Sequence, residues 1–517
     1  MRNRSSTSNN IRTGNLRGGD TSSSSTTTNK NNTSSFVSLL KYYYVELTHH
    51  ELYDTLFVCM LLLFELLLSL LIVRYVKYTE IDWIAYMEEV DTWWYGSNND
   101  GKGEYDYMNI RGGTGPLVYP AGFLYLYKFI QVVTGRDIQK AQYLFVLLYV
   151  TTQFIVFMLY TQVIQYYRQR RSTIASSTTS STTTTTATTT ASTIWSLRIC
   201  MICLCLSKRY HSIFLLRLFN DGPTMLVTYL SFWCFINHQW KLGCFVYSVA
   251  VSLKMNVLLF APGLLYLLLQ ITNNDIINTM FPYLFICGIT QLIIGYPFLS
   301  RYPISYLRKA FELDRVFFYK WTVNWKFLSE QWFLSKYWSI FLLTLHVGLL
   351  CLYYFQLYSN SNNKRHQRQQ QQQHDKKQQE LVEKSMTPDH ILSTLFVSNF
   401  IGICCARTIH YQFYSWYVSS LPFLLWYQQS QTQQASPSSS SFSYYSCYPL
   451  PIRILLLICC EYAYLVFPAT ATSSMILQVA HWSILLPHFY FLYKQQPTST
   501  TPVSVSSDDD TNIKKKD

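Results

Sequence analysis

The side chains best suited to chemistry crowd into one stretch, RYVKYTEIDWIAYMEEVDTWWYGSNNDGKGEYDYMNIRGGTGPLVYPAGF. It holds Glu80, Asp82, Glu88, Glu89, Asp91, Asp100, Glu104 and Asp106, set among Trp83, Trp93, Trp94 and many tyrosines. Carboxylates bind hydroxyls and can take their protons, while aromatic rings cover the apolar face of a sugar. Acids mixed with aromatics beside a membrane therefore suit a carbohydrate site. Glu80 and Asp82 face the same way on an extended segment and diverge by about 200° on a helix. If a helix begins near Asp82, Tyr86 and Glu89 share its face. Asp82 could equally cap that helix, which is the simpler reading of the spacing alone. GGTGP has neither the residue order nor the preceding strand of a nucleotide-binding loop, and reads as a tight turn.

Other segments offer complementary chemistry. Residues 301–326, RYPISYLRKAFELDRVFFYKWTVNWK, join Arg301, Arg308, Arg315, Lys320 and Lys326 to aromatics. Arginine and lysine pair with phosphate oxygens, so this segment is a candidate for a lipid phosphate. ARTIHYQFYSWY places Arg407, His410, Tyr411 and Gln412 at the end of an apolar run, where they could hold a phosphate or a sugar hydroxyl. Lys254 and Asn256 are polar groups inside an apolar region and are expected to face a cavity. Glu65 lies mid-way along an apolar run, which makes it either functional or a contact between helices. Cys200 and Cys203 form a C-x-x-C with no second pair, inside ICMICLCL, and read as small apolar filler.

Hydrophobic residues make up 49% of the 517 and charged residues only 13%. Soluble domains carry roughly a quarter charged residues. The mean hydropathy of +0.08 averages apolar runs with long Ser, Thr, Gln and Asn tracts. The runs fall near 55–72, 141–165, 195–210, 221–237, 243–271, 281–297, 337–356, 391–409, 411–429, 452–469 and 474–493. If 243–271 is a broken pair, the chain is an all-α polytopic membrane protein with about twelve transmembrane helices. Residues 117–133, with Pro116 before them and Pro120 in the first turn, suggest a re-entrant or interfacial helix. The net charge of +13 would suggest nucleic acid in a soluble protein. Here the positives sit in tails and loops beside apolar runs, which is the bias of cytoplasmic loops, and no nucleic-acid partner is expected.

On that parity residues 1–50 form a disordered cytosolic tail, and 51–493 form the membrane domain. Low-complexity inserts at 168–193, 357–389 and 430–450 and the tail 494–517 share the cytosolic side. The information-rich loops at 74–140, 211–220, 298–336 and about 407–411 fall on the other. Lys514-Lys515-Lys516-Asp517 has the form of a dilysine retrieval signal for the endoplasmic reticulum.

Read in order, YTEIDWIAYMEEV, GEYDYMNIRGGTGPLVYPAGF, SKRYHSIFLLRLFNDGP, SLKMNVLLFAPG, LRKAFELDRVFFYKWTVNWKFL and SNFIGICCARTIHYQFYSWYVSSLPFLLW resemble the blocks of the dolichyl-phosphate-mannose-dependent α-1,3-mannosyltransferases of N-glycan assembly. The resemblance spans most of the chain outside the polar inserts. It implies a GT-C-type membrane glycosyltransferase with its active site in lumenal loops. Its donor is dolichyl-phosphate-mannose and its acceptor Man5GlcNAc2-diphosphodolichol, joined with inversion in the membrane of the endoplasmic reticulum. It also shifts Asp82 from cap to general base, with Glu80 in support. Arg308, Arg315, Lys320, Arg407 and His410 are then the candidates for the donor phosphate. Trp83, Tyr86, Glu89, Tyr119 and Gln412 are the candidates for the sugars. A phosphate leaves readily, so the expected chemistry demands no metal or other cofactor, although an E-x-D pair can hold a divalent ion. A transporter or scramblase would instead show paired internal repeats, and none is evident. Another mannosyltransferase of the same fold would differ in its acceptor.

Overall fold

The computed structural model describes residues 43, 46–48, 50–96, 101–177, 180–272, 280–311, 318–371, 386–426 and 448–494. Most of the expected N-terminal tail and of the insert at 430–450, and the dilysine ending, lie outside the described residues.

An uninterrupted apolar run makes the first helix, α1 (Glu51–Tyr75), 25 residues long. Leu56, Met60, Leu63, Phe64 and Leu67 stay exposed on it, a surface that requires lipid rather than water. The chain leaves α1 extended at Val76 and enters α2 (Trp83–Tyr95), which stops where Gly96 takes a positive φ of 87°. A minimal hairpin follows, β1 (Arg111–Gly112) against β2 (Gly115–Pro116), turning at Gly113-Thr114. GGTGP is thus the tight turn that its composition suggests. Gly112 lies on α2 so closely that a β-carbon there would sit 2.8 Å from the Ala85 Cα. Pro120 then starts α3 (Ala121–Thr134), which is 14 residues long. That length is short of the roughly 20 residues of a full crossing.

Next come α4 (Ile138–Ser177), α5 (Ser180–Cys205), the single turn α6 (Lys208–His211), a π-turn over Ser212–Leu216 and α7 (Asp221–Ile236). The run at 243–271 does break in two: α8 (Trp240–Leu253) ends at an extended Lys254, and a 3-10 turn (Met255–Phe260) leads into α9 (Ala261–Ile271). The remaining helices are α10 (Phe281–Leu299), α11 (Pro303–Ala310), α12 (Glu330–Leu334), α13 (Lys336–Gln371), α14 (Pro388–Cys404), α15 (Leu450–Leu465) and α16 (Ala471–Lys494). Between α14 and α15 lie 3-10 turns at Tyr411–Trp416 and Val418–Ser420. Helix α4 runs into the Ser/Thr-rich insert expected as a loop, and α5 starts within it. Once a helix exists, each further residue adds a hydrogen bond without a new nucleus.

Five helices among the described residues are long and apolar enough to cross a membrane: α1, most of α4, α10, the first part of α13 and α16. A sixth is added if the end of α5 and the turn after it, bent by 51°, count as one span. The chain is therefore a helical, multi-pass membrane protein. The other apolar runs form shorter helices, and the expected total of about twelve depends on them.

Buried charge ties the spans together. Asp54 accepts from Arg198 at 2.6 Å and also from Arg168, joining α1 to α4 and α5. Glu65, fully buried in α1, meets His211 at 2.7 Å, Tyr149 at 3.0 Å and Gln153 at 3.1 Å. The His211 Nδ1 faces the Ser207 carbonyl at 2.7 Å and so carries a proton. Glu65 is thus a contact between helices, fixing the bend that delivers the chain to Asp221. Cys200 is buried and Cys203 half-buried in α5, without a bridge, as apolar filler requires.

Candidate active site

Helix α2 begins one residue after Asp82, yet Asp82 does not cap it. Glu80 does: its Oε1 accepts the Ile84 N–H at 3.1 Å and its Oε2 accepts the Tyr78 hydroxyl at 2.8 Å. Sequence spacing favoured Asp82 as the cap because it sits at the boundary. The extended backbone before it lets the longer Glu80 reach the free N–H instead, which releases the Asp82 carboxyl. Asp82 turns inward and accepts from the Tyr86 hydroxyl at 3.3 Å, one helical turn on.

Tyr86 leads from Asp82 to a second acid. Its hydroxyl also lies 3.5 Å from the Asn220 Oδ1. That oxygen accepts from the Lys254 ammonium at 2.9 Å, and Lys254 donates to the Asp221 carboxylate at 2.7 Å. Asp221 accepts from the Trp416 indole as well. Lys254 lies beneath the rings of Tyr119, Phe413 and Trp416, at 5.3, 5.7 and 5.7 Å from their centres. Asp82, Asn220, Asp221 and Lys254 therefore meet in one polar junction walled by aromatic rings. It is built where α2, the start of α7, the break after α8 and the 411–416 turn converge.

Backbone proximity makes the convergence possible. A β-carbon on Gly122 would lie 2.7 Å from the Ser252 carbonyl oxygen, so only glycine lets α3 lie against the end of α8. That contact sets Tyr119 over Lys254. The Tyr86 ring in turn packs edge-on to Tyr119, Phe123 and Tyr127.

Electrostatics divide the acids. Partial burial raises the Asp82 carboxyl above the usual carboxylate range; the Lys254 charge and the Tyr86 hydrogen bond pull it back, while Asp221 and Glu80 push it up. Glu89, buried on the same helix, is raised well above that range, first by burial and then by the charges of Asp82 and Glu88. Both shifts favour the protonated acid, and only at Asp82 do a cation and a hydroxyl oppose the effect of burial.

The other expected site residues are distributed unevenly. Tyr86 and Tyr119 stand in the junction, and Trp83 is buried behind it against Tyr127. His410 packs on Phe413 at 5.2 Å between centres, and Gln412 belongs to the turn that carries Trp416. Arg407 sits in a loop held by Asn324, whose amide donates to the Ala406 carbonyl at 2.8 Å while its Oδ1 accepts from the Ile409 N–H at 2.9 Å. The 322–325 and 406–410 segments are thus brought together. Arg308 is exposed on α11, and Lys320 is exposed beside Trp321. Arg315 lies outside the described residues. Sequence reading passed over Asn220, Asp221 and Trp416, and noted Lys254 without placing it in the site. The available signal was two charges inside apolar runs, FND and SLKMN, which in a membrane need each other.

The family model described as ALG3 protein matches residues 59–474. A protein of Dictyostelium discoideum, named a probable Dol-P-Man:Man(5)GlcNAc(2)-PP-Dol alpha-1,3-mannosyltransferase, is 41% identical over 85% of this chain and 90% of its own length. Proteins of Homo sapiens and Arabidopsis thaliana carry the same name without "probable". The human one is 38% identical over 84% of this chain and 86% of its own. The plant one is 37% identical over 82% and 86%.

The cap assignment is testable by thermal unfolding of the full chain in detergent. Glu80→Ala is expected to cost about 1 kcal/mol, the usual loss for a helix cap, and Glu80→Gln less. Asp82→Ala should cost no cap. The opposite ranking would return the cap to Asp82.

Proposed function

The chain belongs to the ALG3 protein family, and from that premise we propose that it transfers mannose from dolichyl-phosphate-mannose in α-1,3 linkage to Man5GlcNAc2-diphosphodolichol. The observation that carries the mechanism is the Asp82 carboxyl, freed from capping and aimed into a junction of buried polar groups. Asp82 accepts the proton of the acceptor's 3-hydroxyl as the oxygen attacks the mannose C1. The bond from C1 to the phosphate oxygen breaks, and dolichyl phosphate leaves with one more negative charge than it had in the diester. A β-linked donor and an α-linked product make the displacement inverting. The base and the leaving phosphate then occupy opposite faces of the sugar.

Each neighbour has a role in this scheme. Glu80 holds the 78–84 segment so that Asp82 stays free. Lys254 favours the ionised form of Asp82, and Tyr86 orients it. Glu89, whose burial favours the protonated form, offers a hydrogen bond to a sugar hydroxyl, with Tyr119 and Gln412 lining the sugar path and Trp83 packed behind it. Loss of a phosphate from an electron-rich sugar needs only nearby cations, so no metal ion takes part. The protein has a GT-C-type architecture of about twelve crossings, the shorter apolar helices included. It resides in the endoplasmic reticulum membrane with this junction facing the lumen and both termini in the cytosol.

Microsomes containing the chain, given both lipids, are expected to form an α-1,3-linked mannose product. Asp82→Asn should lower the rate by about a hundredfold or more, and Glu80→Gln by much less. EDTA should leave the wild-type rate intact. No transfer by a folded wild-type protein would return the transporter reading to the front.

The pH dependence follows from the sign of each effect. Asp82 works ionised, so the rate falls as pH drops through its pKa. Lys254 lowers that pKa. Lys254→Met is therefore expected to move the acid limb of the rate profile to higher pH, by about one unit or more. A limb that stays in place would remove Lys254 from any influence on the base.

A further inference from the structure

The Tyr86 hydroxyl has one proton, and two acceptor oxygens stand ready for it. The Asp82 Oδ2 lies 3.3 Å away and the Asn220 Oδ1 3.5 Å away. The first belongs to the acid that gains a proton in the proposed reaction. The second belongs to an amide whose charge never changes. The Tyr119 phenol, packed edge-on at 6.0 Å between ring centres, has a proton of its own and can donate to the Tyr86 oxygen.

The heavy atoms around that proton are fixed. The Tyr86 ring is 2% exposed and packs edge-on to Phe123 at 5.2 Å and Tyr127 at 4.8 Å. Asn220 is also 2% exposed, and its backbone carbonyl accepts from the Thr224 hydroxyl at 2.8 Å. Its side-chain amide has one orientation. The Lys254 ammonium, 2.9 Å from Oδ1, is a donor, and a reversed amide would set N–H against N–H. Oδ1 therefore faces Lys254 and Tyr86 together, and a carbonyl oxygen has two lone pairs to serve them. What remains free to move is the phenolic O–H, which turns from one acceptor to the other. Its choice follows the charge on Asp82. A carboxylate is the stronger acceptor, so Tyr86 donates to Asp82 while that acid is ionised. Once the acceptor's 3-hydroxyl has given its proton to Asp82 and its oxygen has bonded to C1, the neutral carboxyl accepts more weakly. Asn220 then offers the phenol a partner in a buried site, where an unmade hydrogen bond is costly.

We propose that Asn220 is a positioning residue for the base: by competing for the Tyr86 O–H, it frees Asp82 from that hydrogen bond as the acid takes up the acceptor's proton. This rests on the proposed transfer with Asp82 as base. Tyr86 gives up no proton, because its O–H only rotates. Asp82 returns its proton to water as the products leave. Without Asn220 the phenol stays on Asp82, favours the carboxylate and makes it a weaker base. The other charged and titratable groups facing Asp82 and Tyr86 are Glu80 in the segment before α2, Lys254 after α8, Asp221 on α7, and the phenols of Tyr119 and Tyr127 before and on α3. Lys254 is the one of these that Asn220 also touches, so the test must separate the two routes from Asn220 to the base.

The test is the pH dependence of mannose transfer by the full chain in lipid nanodiscs, with both lipids saturating, for wild type, Asn220→Ala, Tyr86→Phe and the double variant. Asp82 works ionised, so its pKa sets the acid limb of the profile. Asn220→Ala is expected to move that limb to lower pH by about half a unit or more, and Tyr86→Phe to move it to higher pH. In the Tyr86→Phe background, Asn220→Ala should lose most of its effect, because the phenol that carries it is gone. A role that is only structural, or that passes through Lys254, gives the same shift with and without the phenol, and that additive result would overturn the proposal. If Asn220→Ala does not fold, the isosteric Asn220→Asp decides the matter. Its oxygen still faces Lys254 but draws the phenol proton harder, so the limb should rise, and rise further with Tyr86 present than in the Tyr86→Phe background. Equal rises would again overturn it. Asp82→Asn is measured alongside. If it keeps the wild-type rate, the base itself is wrong; if it is inactive while positions 86 and 220 act additively, this proposal alone fails.

Discussion

A lysine ammonium with 7% of its surface exposed must be surrounded by acceptors, because taking it out of water costs several kcal/mol. Lys254 meets that demand by leaving its helix. Its backbone is extended, with φ −162° and ψ 131°, and the side chain turns to Asp221 at 2.7 Å and Asn220 at 2.9 Å. Everything nearby follows from the need to keep those acceptors there. Asp221 stands at the first turn of α7, where a helix favours negative charge. The Trp416 indole takes a share of the Asp221 carboxylate, which draws in the 411–416 turn. Asn220 reaches Tyr86, which draws in α2 and Asp82. The glycine at 122 and the broken α8–α9 pair are the steric conditions for the same meeting.

The spans supply the frame on which that meeting depends. Asp54 with Arg168 and Arg198 fixes α1 against α4 and α5, and Glu65 with His211 and Tyr149 fixes the bend further along. In a bilayer such groups have no water to fall back on, so each network sets a relative height and rotation of helices. The bend then feeds the π-turn at Ser212–Leu216, which leads on to Asn220 and Asp221. The polar junction, made of short loop segments, is thereby positioned by the helices that flank it.

Much of this was legible in the residues. The apolar runs located the helices; Pro120 marked the start of α3, GGTGP the turn, and the acid-aromatic loop one wall of the candidate site. Asp82 and Tyr86 were paired by helical spacing. What the residues did not reveal follows from two physical limits. A cap is chosen by reach as well as position, so Glu80 could displace Asp82 at the helix start. Contacts between Asp221 and Lys254, or between Asn324 and the 406–409 backbone, join segments far apart in the chain and leave no periodic trace.

The account turns on Asp82 facing the acceptor hydroxyl, with the donor's mannose between it and the phosphate. The most direct measurement is an electron cryo-microscopy structure of the full chain with an unreactive donor analogue and the acceptor lipid. The predicted result is an Asp82 oxygen within hydrogen-bond reach, about 2.6–3.2 Å, of the acceptor's 3-hydroxyl, with C1 beyond it. An acceptor hydroxyl held by a different carboxylate, with Asp82 turned away from both sugars, would contradict it.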